Sequence, residues 1–187
     1  MGAELSSLCC FLQAFVAHLA QAAICSIGND VVLFRKRVAG LSPSTLERFV
    51  LRAKSLIHFR APVNVLITGS AELRTLSRRF RGTDKATDVL SFPSPIVEGI
   101  RPKHAAGDLA ISADIARKNA GRLGHSVADE VKILTLHGIL HLAGFNHERD
   151  NGKMARKEMR LRRQLKLETG LIERFHQHAK PARRRTE

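Results

Sequence analysis

The chain is 187 residues long, enough for one domain with ragged ends, and 44% of it is hydrophobic, so it can bury a core without disulfide staples. Its 31 Lys+Arg against 17 Asp+Glu leave a formal net charge of +14, which favours polyanionic partners and nucleic acid first, because neutralised phosphates release condensed counterions. With no Trp and no Tyr, any stacking on single-stranded bases falls to Phe, His or Arg, and three cysteines confined to Cys9, Cys10 and Cys25 form no CxxC pair and suit a reducing compartment, so the cytoplasm is the expected location.

Leu8 to Ile27 is mostly apolar but carries Gln13, His18 and Gln21, and Glu4 precedes it where a secretory signal would have Lys or Arg. It is too polar to read as a membrane span, and no membrane partner is expected. A weak anchor, an extra packed helix and translated upstream sequence absent from the natural product compete for it; the third is favoured. Residues 1–30 are therefore set apart as an extension, 31–168 as the domain and 169–187 as a basic, disordered tail.

Asp30 to Phe34 reads as a short strand. Ser42-Pro43 starts a helix, since Ser caps free N–H groups and Pro suits the first helical position; Leu46, Phe49, Val50, Ala53 and Ile57 then share one face. Val63 to Thr68 is an apolar strand closed by Gly69, and Ser70 is expected to cap a helix whose inner face is Leu73, Leu76 and Phe80. A polar loop, Arg81 to Lys85, leads to a strand over Thr87 to Phe92, stopped by Pro93 and Pro95. Residues 94–105 read as a mobile loop, Asp108 to Ser112 as a strand, and Ala113 to Ala120 as a helix ending near Gly121.

Ser126 to Gly144 is the most informative element. Ser126 with Asp129 resembles a capping box, Glu130 adds a favourable charge to the first turn, and apolar residues surround the helix on nearly every side, so it is buried. Gly144 supplies the left-handed turn that ends it. A final helix, Asn151 to Glu168, is strongly basic: residues 151–187 hold 12 Lys+Arg and 4 Glu, more than half of the net charge. It is either an RNA-facing arm or a solvated end.

The chemistry lies in His137-Gly138-Ile139-Leu140-His141-Leu142-Ala143-Gly144-Phe145-Asn146-His147. His137 and His141 stand one helical turn apart on one face, with Cβ atoms about 5–6 Å apart. Both can reach one zinc at about 2.0–2.1 Å, and His147 can return beyond the glycine as third ligand. Three protein ligands leave a fourth position open, as in catalytic zinc sites. Imidazoles in an otherwise apolar helix are costly unless something satisfies them, which weighs against ordinary core histidines. The spacing also occurs in metzincin-type proteases, but there a Glu follows the first His as general base; here it is Gly138, which can move no proton.

These residues resemble the signature of the bacterial YbeY family of endoribonucleases. Phe80-Arg-Gly-Thr-Asp-Lys-Ala-Thr-Asp-Val-Leu-Ser-Phe-Pro93 is similar to that family's second signature and Gly107-Asp-Leu-Ala-Ile-Ser112 to its third, in the same order over about Val31 to Leu167. The resemblance implies zinc held by the three histidines, an essential Arg at Arg81, and a role in ribosomal RNA maturation near the 3′ end of the small-subunit RNA and in ribosome quality control. Ribosomal RNA and the small ribosomal subunit are the partners it implies, with ribosomal proteins or an assembly GTPase as further candidates. Two departures stand out: Asn146 replaces the usual Asp before the third His, which alters support of the metal from behind its ligands, and Phe80 and Phe145 stand where the family often has Tyr.

Elements and resemblance together imply an α+β single domain: a small mixed sheet of about four strands packed with about five helices, the buried central one carrying the ligands. The activity expected is that of a single-strand-specific, zinc-dependent endoribonuclease, with Arg81 neutralising phosphate charge and Lys85 a further RNA contact. Asp84, Asp88, Asp108 and His125 are weaker candidates, and His176 and His178 poor ligands. Two readings compete with it: a zinc hydrolase of another substrate class, and an rRNA-binding assembly factor that zinc only braces.

Overall fold

Strands form at short β-branched and apolar runs, and the four strands among the described residues join one sheet. In the computed structural model, which describes residues 30–93, 107–147 and 149–167, the chain runs β1 (Val31–Phe34), α1 (Pro43–Leu56), β2 (Val63–Thr68), α2 (Ser70–Arg81), β3 (Val89–Pro93), β4 (Gly107–Ser112), α3 (Ala113–Leu123), α4 (Val127–Leu142) and α5 (Lys153–Leu165). The sheet order is β1-β2-β4-β3; β1, β2 and β4 are parallel and β3 is antiparallel on the edge. This is the α+β single domain with a mixed sheet and five helices that the sequence implies. The N-terminal extension, the 94–105 loop, the tail, and His176 and His178 lie outside the described residues.

Side chains alternate across the pleat, so each strand serves two layers. Val32, Val63, Val65, Ile67, Leu109 and Ile111 turn to the larger core with α1 and α4. Leu90 and Ala110 turn the other way, onto Leu73 and Leu76 of α2. Ser42 caps α1 by accepting from Thr45 N–H, and Leu46, Val50 and Ala53 bury its inner face.

Among the boundaries that differ from the sequence reading are those of α2 and α3. The N-cap of α2 is Gly69, and Ser70 is its first residue: the Ser70 N–H donates to Asp114 Oδ2 at 3.0 Å, so a carboxylate distant in sequence supplies the cap. Helix α3 runs past Gly121 to Gly124, whose φ of +77° makes the left-handed end. Gly121 has open space around it, so neither packing nor backbone conformation demands a break there.

Helix α4 is the axle of the fold, and twelve of its residues are buried. It lies against the sheet at unusually close range. A Cβ on Gly138 would sit 2.7 Å from Leu109 Cδ2 and 3.3 Å from Ser91 Oγ, and a Cβ on Gly107 would meet Leu142 at 2.4 Å. A side chain at position 138 would therefore require Leu109 or the helix to shift.

Candidate metal centre

The end of α4 builds the site. Ala143 caps the helix and Gly144, at φ +89°, turns the chain. Gly144 N–H donates to His141 C=O and Phe145 N–H to Leu140 C=O, both at 3.0 Å, which is the Schellman pattern. That turn returns the Phe145 carbonyl to the helix face, where it accepts from His141 Nδ1 at 3.1 Å. It also brings His147 back to the histidine pair.

His137, His141 and His147 converge: each offers a ligand atom, and these atoms lie within 4.8 Å of one another. The ring centroids are 4.7, 5.6 and 5.4 Å apart. His137 Nδ1 contacts Glu158 Oε2 at 3.0 Å, with both groups buried. A carboxylate and a carbonyl only accept, so His137 and His141 both carry their proton on Nδ1. Both Nε2 atoms are then bare lone pairs, and they face each other at 3.0 Å. Two acceptors so placed repel unless a cation lies between them. The donor set, three imidazoles, fits a divalent ion of the zinc type.

Electrostatics agree with that geometry. Burial, then the neighbouring His137 and His147, push the His141 imidazole down to about 4, with the hydrogen bond to Phe145 opposing and the charge of Arg81 adding to the fall. His141 is thus neutral and ready to ligate at neutral pH. Arg81 is the last residue of α2 and is exposed, and its charge makes the smallest of these contributions at His141. The sequence reading put Arg81 in a loop; Gly82, at φ +65°, ends the helix just after it.

Other candidates are placed elsewhere. Lys85 is exposed on the loop after α2 and takes no part in the histidine cluster. Asn146 is exposed between Phe145 and His147. Asp84 is gripped by Arg74 through two hydrogen bonds of 2.7 and 2.8 Å. Asp88 accepts from Val89 N–H at 2.9 Å and sets the turn into β3. Asp108 accepts from Asn64 at 2.8 Å on the sheet face opposite α4, in an apolar groove with Leu66 and Phe92, and burial raises its pKa. His125 is a buried partner of Glu130 at 2.7 Å, at the far end of α4 from the metal ligands. Phe80 packs edge-on against Phe92 at 5.6 Å, and Phe145 packs on the main core.

The residue that sequence reasoning missed is Glu158. Read as part of a basic helix, α5 is amphipathic: Met154, Glu158, Leu161 and Arg162 form its buried face. The signal was present, since Glu158 is the one acid between Lys153 and Leu165 and stands in register with Met154 and Leu161.

Fold and site together define an α+β protein whose central helix carries a three-histidine cluster that could hold a metal ion. The family model described as Endoribonuclease YbeY matches residues 37–167. The chain is 52% identical over 155 residues to "Endoribonuclease YbeY" of Koribacter versatilis, covering 83% of this chain and 98% of that relative. It is 50% identical over 143 residues to the protein of the same name from Solibacter usitatus, covering 76% and 92%. The solution structure of TM1509 from Thermotoga maritima shares the fold with a TM-score of 0.51 at 22% identity, over 84% of this chain and 98% of that one. The chain belongs to the YbeY family of endoribonucleases.

Proposed function

We propose that this protein is a zinc-dependent, single-strand-specific endoribonuclease of the cytoplasm that matures the 3′ end of small-subunit ribosomal RNA and serves ribosome quality control. The observation that carries the reading is the convergence of three histidine ligand atoms within 4.8 Å. An open trihistidine site supplies, when loaded, a Lewis acid and a nucleophile source near neutral pH.

The chain's own residues do the rest. His137, His141 and His147 hold the ion. Glu158 and the Phe145 carbonyl orient the first two rings by accepting from their Nδ1 protons. Arg81 binds the scissile phosphate and stabilises charge that grows on its oxygens, a task its planar fork suits. Arg78 and Arg79, exposed in the last turn of α2, extend a cationic path along which an RNA strand can lie, and Lys85 adds a contact beyond it. Gly138 leaves no side chain in the place of a protease general base, which favours phosphodiester over peptide substrates.

The small ribosomal subunit is the proposed partner, with ribosomal proteins or an assembly GTPase as candidates to deliver the enzyme to it. The second reading, a zinc-braced factor that holds rRNA without cutting it, uses the same basic face. A cleavage assay on single-stranded rRNA separates the two: wild-type protein that binds tightly and never cuts would establish the binding factor.

A further inference from the structure

We propose that Glu158 is a positioning residue that sets how tightly the trihistidine centre holds its metal, by fixing the tautomer of His137 and lending that ring negative charge. The inference rests on the metal-site reading above and deepens it. His137 and Glu158 come from different helices, and their side chains are almost wholly buried where they meet, 6% and 1% exposed. In water a His–carboxylate pair is weak and mobile; sealed off, it holds one geometry and one tautomer.

The two helical ligands are supported unequally. His141 donates to a neutral backbone carbonyl, whereas His137 donates to a carboxylate. A carboxylate acceptor makes the imidazole a stronger base toward a cation. Arg162, one turn further along α5, is buried on the same face. The buried face of α5 thus joins core packing to metal tuning, although the rest of the helix is basic.

The test is zinc affinity of the full-length protein, measured by competition with a chelator. Glu158→Gln keeps the size and one oxygen but removes the charge. Zinc binding is expected to weaken about 10–100-fold, while the melting temperature of the zinc-free variant stays within a few degrees of wild type. Unchanged zinc affinity in Glu158→Gln overturns the proposal and leaves Glu158 as a pin between helices. Should the variant fail to fold, nitrogen-15 NMR of the zinc-free wild type decides: His137 is expected protonated on Nδ1, and protonation on Nε2 overturns the proposal. If the wild type binds no zinc at all, the failure belongs to the metal-site reading itself.

Discussion

His137 and His141 turn bare Nε2 atoms toward each other across 3.0 Å, each ring's Nδ1 being engaged by an acceptor behind it. The two rings are held together against the repulsion of those lone pairs, which a bound cation would relieve. Removing one of them removes the grip as well as the conflict. Purified His141→Ala should therefore carry no stoichiometric zinc by elemental analysis and should not cleave single-stranded rRNA. A zinc-free protein that cuts as fast as the loaded one would end the metal mechanism.

Arg81 is exposed and ends a helix whose packing is done by Leu73 and Leu76. Its side chain is therefore dispensable for folding. Arg81→Ala should keep its melting temperature and zinc content and lose cleavage by about a hundredfold or more, the scale of one lost transition-state donor. Equal rates in variant and wild type would show that no phosphate oxygen leans on this guanidinium.

Gly138 lets α4 approach β4 so closely that a Cβ there would press on Leu109. Gly138→Ala places a methyl 2.7 Å from Leu109 Cδ2, so either Leu109 or the helix must shift. The expected loss is about 1–3 kcal/mol, seen as a fall of about 2–4 °C in melting temperature per kcal/mol. A melt that does not move would mean the helix has slack at this seat.

The His141 imidazole, pushed down from 6.5 to about 4, links folding of the zinc-free protein to pH. Its folded pKa lies below its unfolded one, so between those values the unfolded chain binds more protons. Stability is then flat above about pH 6.5 and falls as pH drops toward about 4. Urea midpoints measured with a chelator present should show that decline, and His141→Ala should flatten it. Equal slopes in the two proteins would assign the decline to other groups.

How far the sequence carried depended on whether a feature was local. The caps at Ser42 and Ser126, the turn at Gly144 and the paired His137 and His141 were legible, because each depends on residues within a few positions of itself. Gly121 misled, because a glycine permits a helix end without requiring one, and the left-handed turn that ends α3 falls at Gly124 instead. Ser70 misled for the opposite reason: the hydrogen-bond acceptor at the start of α2 was Asp114, from a strand–helix junction 44 positions away.

The sequence alone determined the histidine triad, the central buried helix, the sheet's strands and the net positive charge, since helical period, glycine turns and charge are properties of neighbouring residues. Tertiary structure alone decided that Glu158 stands behind His137, that Arg81 bears on His141, and that Gly138 seats α4 against Leu109. Those relations join elements far apart in the chain, and burial, which gives a carboxylate or a missing Cβ its effect, exists only once the elements have packed.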